Sequence, residues 1–381
     1  MSSHAVWTGN GHTILYAPYR YENVVGPEHF WNPSAVHAFF ARHWSSSIYL
    51  ALGYVAIINV MQRIMENRKP LSMRTVLLLW NGALAIFSMM GTWRFGLEFF
   101  NVLWTRPFTD SVCFSVDPTG PASFWACMFA FSKIAELGDT LFLVLRKRPV
   151  IFLHWYHHAV VLVYCWHSDV NSSRDSDDTV ESLHEIHHIL SILVALEQNK
   201  QQCVVLRRTK KNPHCRSSLT TTINNGDDDL IFGSGESASR PNPLEITSDN
   251  HEHILLCPLV VPPIFQQLPV ELTAAGRWFI WMNYFVHSIM YTYYAIVSTG
   301  IRLPKRLSMT VTALQTTQML IGVMISVYVL YLKLNGEVCQ QSFDNLAICF
   351  AIYASFLILF SKFFNTAYLV KRQPKPAVKT D

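Results

Sequence analysis

The chain has 381 residues, half of them hydrophobic and only 15% charged, with a net charge of +4 and a mean hydropathy of +0.20. Several apolar runs approach or exceed the roughly 18 residues that cross a bilayer, so an ordinary soluble domain is excluded and a multi-span membrane protein is expected. No basic stripe points to nucleic acid, and eight scattered cysteines without a CxxC pair signal neither a zinc site nor a disulfide framework.

Residues 1–42 are polar and aromatic and lack the basic-then-apolar pattern of a signal peptide, so the first spanning helix is expected to direct insertion. Span one is read at 46–62. Arg63, Arg68, Lys69 and Arg74 follow it and place that loop in the cytosol and the N-terminus in the lumen. Span two covers 75–93, and a long aromatic-rich loop leads to Pro121. Span three, 122–145, ends at Arg146-Lys147-Arg148, and span four is 150–166.

The character then changes. Residues 169–272 are crowded with Asp, Asn, Ser, Thr and Pro, a composition expected of a disordered lumenal segment. Within it, 179–198 reads as a short amphipathic helix with Ser182 and Glu185 as a capping box. The apolar stretch 254–270 is broken by four prolines and is not expected to span. Spans five, six and seven are read at 278–297, 309–332 and 346–370, with Arg302, Lys305 and Arg306 after span five and a basic tail at 373–381. Seven spans put every basic segment on one side. The expected fold is an all-α integral membrane protein, a barrel-like bundle of seven transmembrane helices with a lumenal N-terminus and a cytosolic C-terminus.

Four spans carry polar boxes. Span three holds Lys133, Glu136, Asp139 and Thr140, span four holds His154, His157 and His158, and span five holds Asn283, His287, Tyr291 and Tyr294. Span six holds Thr312, Gln315 and Gln318. Helical spacing puts the three histidines on one face, one turn apart. Ionisable groups at membrane depth are costly, usually face the bundle interior and mark a working site, so the charges are expected to pair with one another or with histidine. A rise of 1.5 Å per residue places all four boxes roughly 6 to 15 Å from the cytosolic end of their spans. Isolated helix-linking patches have no reason to agree in depth, whereas a shared pocket open to the cytosol does.

At these boxes the sequence resembles the fatty acid elongases of the endoplasmic reticulum, the ELO family, whose hallmarks are KxxExxD, HxxHH, HxxMYxYY and TxxQxxQ. Here they read KIAELGD, HWYHH, HSIMYTYY and TALQTTQ. The HWYHH form and the AAGRWFIWMNYFVH context look most like the branch that acts on saturated and monounsaturated chains. The resemblance implies residence in the endoplasmic reticulum membrane and condensation of a long-chain acyl-CoA with malonyl-CoA. The products are a 3-oxoacyl-CoA two carbons longer, CO2 and free CoA. No cofactor or metal is implied beyond the two substrates, and the other enzymes of the elongation cycle are expected partners.

Soluble condensing enzymes carry the acyl group on cysteine, but no box here contains one. A neutral imidazole can serve as nucleophile or base. His157 is therefore expected to take the acyl group, with His154, His158 and His287 orienting it, moving protons or stabilising the enolate oxygen. Lys133, Glu136, Asp139, Asn283, Tyr291, Tyr294, Gln315 and Gln318 are expected to support the imidazoles and CoA. Cys165 is the fallback nucleophile, two turns beyond His158.

Residues 169–272 depart from the family pattern and divide the elongase domain into 1–168 and 273–372. They contain a second HxxHH, His184 to His188. Two such boxes leave open a membrane di-iron desaturase or hydroxylase, although the separate HxxxH box which that chemistry also uses is missing outside these two. Seven spans also describe a receptor without catalysis, a reading that leaves the buried charges unexplained. Asn171 begins a glycosylation sequon, and Cys113 and Cys339 fall in predicted lumenal loops where a disulfide is allowed.

Overall fold

A computed structural model describes residues 4–9, 12–168 and 275–369, all within one compact unit. The segment 169–272, with its expected helix, second histidine box and sequon, and the tail 373–381 lie outside the described residues.

The chain opens with an antiparallel hairpin, β1 (Ala5–Gly9) and β2 (His12–Tyr16), in which Trp7 faces Ile14. This corrects the all-α expectation: Val6, Trp7, Ile14 and Leu15 form two short β-prone runs inside a stretch read only as polar and aromatic. A 3₁₀ turn (Gly26–Phe30) precedes α1 (Pro33–His43), where the Asn32 side chain caps the Ala35 N–H at 3.1 Å and Pro33 sets the first turn. Then come α2 (Ser46–Met65), α3 (Arg74–Thr105), the short α4 (Phe108–Cys113), α5 (Pro121–Leu145) and α6 (Phe152–Ser168). After the undescribed segment follow α7 (Gly276–Ser298), α8 (Lys305–Leu334) and α9 (Phe343–Phe364), which continues as a π-turn (Asn365–Leu369). By length and composition α2, α3, α8 and α9 with its extension can cross a membrane. The other three long helices, α5, α6 and α7, carry three of the four polar boxes.

Six helices close a ring. α3 packs on α7, α7 on α8, α8 on α9, α9 on α6, α6 on α5, and α5 returns to α3. α2 leans on α5 and α6 from outside, so the first apolar helix is not a stave of the barrel. Its far face leaves Tyr49, Ile57, Val60 and Ile64 uncovered.

The aromatic stretch after Trp93 is helix, not loop. Arg94 and Glu98, just beyond the expected end of span two, are buried and paired, and α3 continues past them to Thr105. Glu98 receives Arg277 from α7 at 2.8 Å, and the same guanidinium donates to the carbonyls of Asp110, Ser111, Phe114 and Ser115. Cys113 is disulfide-bonded to Cys339, which ties this end to the α8–α9 link.

Glu28 accepts from Arg94 Nε at 2.8 Å, Trp125 Nε1 at 2.7 Å and the Val25 N–H at 3.0 Å. Burial alone raises its pKa, but these hydrogen bonds and the Arg94 charge outweigh burial and hold it below the ordinary 4.5. A folded-state value below the unfolded one gives stability that is complete above 4.5 and lost as pH falls through the lowered value.

Two seams rest on glycine. A Cβ on Gly91 of α3 overlaps the Tyr284 ring of α7, and one on Gly322 of α8 overlaps the Tyr353 ring of α9. Gly91→Ala is expected to cost about 1–3 kcal/mol through overpacking, whereas Gly82→Ala, in open space, is expected to cost nothing; thermal unfolding in detergent compares them. In the same assay Glu28→Gln is expected to lack the part of the acid limb that the wild type shows below pH 4.5.

Candidate active site

α5, α6, α7 and α8 are all ring members, and their boxes face inward. Near the middle of α5, Lys133 Nζ lies 2.7 Å from Glu136 Oε1 and 3.0 Å from Asn283 Oδ1 of α7. Glu136 also accepts from Ser132 at 3.2 Å and lies 3.6 Å from His287 Nδ1. Lys133 Nζ sits 4.1 Å from the Phe129 ring centroid. The cation and the anion thus meet inside the ring, linked to α7 at two points, as burial of charge requires.

One turn on, Asp139 has no cationic partner among the described contacts. Its Oδ1 accepts from Trp80 Nε1 of α3 and its Oδ2 from Tyr291 OH of α7, both at 2.7 Å. Tyr291 lies edge-on to His287, centroids 5.4 Å apart. Thr140 is bound by Tyr54 of the outer helix at 2.5 Å. On α6 the His154 and His158 rings are 4.7 Å apart and those of His157 and His158 are 5.5 Å apart. His157 rests on Phe356 of α9 at 4.9 Å. The His154 Nε2 is buried with no partner among the described residues. Gln315 donates to Met290 Sδ at 3.1 Å.

A chamber of about 600 Å³ opens inside this half of the ring. Of the residues singled out by sequence, Asp139, His154, His157, His158, Asn283, His287, Tyr294, Gln315 and Gln318 line it. Lys133, Glu136 and Tyr291 do not line it; they stand behind and hold those that do. Arg146 and Arg148 of the α5–α6 link, with Ser298 and Ser308, form the same wall, so the chamber lies at the end of the ring that carries the basic links. A narrower slot of about 70 Å³ leads the other way, toward Arg277. His157, Asn283, Gln318 and Met319 line both spaces, which places His157 where they meet. Cys165 lines the slot, two turns from His157. Among the described residues no group of three or more His, Cys, Asp and Glu is placed to hold a metal ion.

Several residues were passed over by sequence reading. Trp80 looks like any membrane-facing tryptophan until its indole is seen on Asp139. Arg146 and Arg148 registered only as a topology signal, yet they line the chamber. Tyr368, from the π-turn, also lines it and lies 3.2 Å from Ser308 Oγ and 3.3 Å from Thr312 Oγ1. Neither contact has a local sequence signature.

The profile described as ELO: GNS1/SUR4 family matches residues 39–180 and 260–376. A Caenorhabditis elegans protein provisionally named fatty acid elongase 4 is 36% identical over 96% of this chain and 92% of its own length. A human very long chain fatty acid elongase 3 is 28% identical over 97% of this chain and 98% of its own. A Drosophila melanogaster very long chain fatty acid elongase 6 is 30% identical over 86% of this chain and 73% of its own.

The ion pair makes a stability prediction. Lys133→Met strands Glu136 and is expected to cost about 3–5 kcal/mol. Removing both charges in Lys133→Met with Glu136→Leu is expected to restore most of that loss, as read by unfolding in detergent.

Proposed function

Because this chain belongs to the ELO: GNS1/SUR4 family, we propose that it is a very-long-chain 3-oxoacyl-CoA synthase, the condensing enzyme of fatty acid elongation. Its substrates are a long-chain acyl-CoA and malonyl-CoA, and its products are a 3-oxoacyl-CoA two carbons longer, CO2 and CoA. The observation that carries this reading is the position of His157, at the meeting point of a wide chamber with further histidines and two arginines on its wall and a narrow, mainly apolar slot. A thioester is built the same way, with a charged head and an apolar tail joined at the reacting carbon.

The proposed orientation follows. Seven helices, α2, α3 and α5 to α9, span the endoplasmic reticulum membrane. The Cys113–Cys339 bond supports a lumenal setting for its end of the ring, since disulfides persist in oxidising compartments. The basic links at the other end support a cytosolic chamber mouth. CoA phosphates would dock near Arg146 and Arg148, and the tail would lie in the slot.

His157 attacks the thioester carbonyl. The C–S bond breaks, and CoA leaves and takes up a proton. Malonyl-CoA then enters the emptied chamber and loses CO2. The resulting carbanion attacks the acyl-imidazole carbon, the C–N bond breaks, and the 3-oxoacyl-CoA departs. His287 is held by Glu136 and Tyr291 and stabilises the enolate oxygen, and His154 offers its unpartnered Nε2 to the substrate. Glu136 behind His287 sets that ring's tautomer and orientation.

Incubation with acyl-CoA alone is expected to release CoA and leave an acyl group on the peptide containing His157, located by mass spectrometry. His157→Ala is expected to show neither and to lose condensation at least about 10²-fold. Release of CoA only in the presence of malonyl-CoA would mean that no acyl-enzyme forms.

A further inference from the structure

The slot beyond His157 does not reach the end of the ring. Eight residues of α6 separate His157 from Cys165, a rise of about 12 Å, and the slot stops where Val116 and Arg277 close it. On the far side of Val116 lies a second hollow of about 40 Å³, lined by Trp7, Ile14, Trp31, Val36, Phe40 and their neighbours. Among the described residues Val116 is the one side chain that lines both spaces. Ala126 of α5 faces the slot and its neighbour Cys127 faces the hollow, so the two run side by side along that helix as well.

We propose that Val116 is the partition that sets the longest acyl tail this enzyme accepts, with an apolar hollow already formed behind it. The proposal rests on the reading that the tail occupies the slot. Val116 is buried, and its backbone has little room to yield. The Phe114 and Ser115 carbonyls accept from Arg277 at 2.8 and 3.0 Å. The Ser115 N–H donates to the Leu15 carbonyl at 3.3 Å, and the Ala17 N–H donates to the Ser115 carbonyl at 3.4 Å. Cys113, three residues before, is bonded to Cys339. On the other side the Trp31 Nε1–H donates to the Pro118 carbonyl at 2.8 Å, and a stop anchored on both flanks resists a tail that presses on it. A flexible one would give gradually and blur the limit.

The hollow is mainly apolar and suits the methyl end of a tail. It is walled by the hairpin residues Trp7 and Ile14, which face each other, and by Val36 and Phe40 of α1, with His37, Ser115 and Ser123 also on its wall. Val116→Ala removes the methyls of the one described side chain that stands in both walls. Filling the slot end needs only a larger side chain at the same position.

The test uses the full-length protein in detergent, a series of saturated acyl-CoAs differing by two carbons, and labelled malonyl-CoA. For Val116→Ala, kcat/KM on the first acyl-CoA beyond the wild-type limit, relative to the wild-type optimum, is expected to rise about tenfold or more, the size of effect that pocket methylenes have on specificity. For Val116→Phe the same ratio is expected to fall and the optimum to move to a shorter chain. Both variants are expected to match the wild type on acyl-CoAs too short to reach residue 116. If Val116→Ala does not fold, Val116→Leu takes its place, with shortening as the expected result. An unchanged length profile in variants that condense normally overturns the partition and leaves the proposed reaction standing. A wild type that performs no malonyl-CoA-dependent condensation overturns the reaction itself, and the partition with it.

Discussion

A lysine and a glutamate buried behind the chamber wall must find partners there. Lys133 and Glu136 find each other, and Asn283 and His287 across the contact between α5 and α7, with separations of 2.7 to 3.6 Å. A lone charge in the ring interior would cost more than most single contacts return. The pairing therefore fixes how α5 and α7 are rotated about their axes, which decides what else points inward. With Lys133 and Glu136 turned to α7, Asp139 one turn on reaches the indole of Trp80 and the hydroxyl of Tyr291. His287, held beside Glu136, faces the same chamber as the three histidines of α6.

The two ends of the ring are built for different work. One end is tied shut by Arg277 on Glu98, by the carbonyls gathered around the same guanidinium, and by a disulfide. The other end is wide, with two arginines and several hydroxyl groups on its wall. An asymmetric container of this kind orients a substrate with one charged end and one greasy end without a specific contact for every atom. On the proposed reading the reacting carbon lies where the wide part ends, at His157.

Much of this was legible in the sequence. Apart from the far end of α3, the spanning helices could be located to within a few residues because a bilayer imposes a length and a composition. The four boxes could be assigned to one cavity because their depths agreed. Other features were not legible, for identifiable reasons. That α2 stands outside the ring depends on helix-to-helix packing, and its composition matches that of the staves. Span two is read as ending at Trp93, whereas the helix runs on through Arg94 and Glu98; a charge in sequence shows its cost but not its partner, and Glu28 and Arg277 are 66 and 179 residues away. Trp80 belongs to the site through a single indole N–H, and its neighbours in the chain say nothing of Asp139. The hairpin was too short to assert itself within a polar stretch. The disulfide was allowed by topology alone, and only the fold brings Cys113 to Cys339.

The central claim, that imidazoles from α6 and α7 serve one reacting carbon at the junction of chamber and slot, is tested most directly by a cryo-electron microscopy structure with an acyl-CoA analogue whose thioester sulfur is replaced by methylene. The account predicts the ketone carbon beside His157, the phosphates on the Arg146 and Arg148 side, and the tail running toward Val116. A tail lying in the wide chamber, or a ligand bound on the outer surface of the ring, would contradict it.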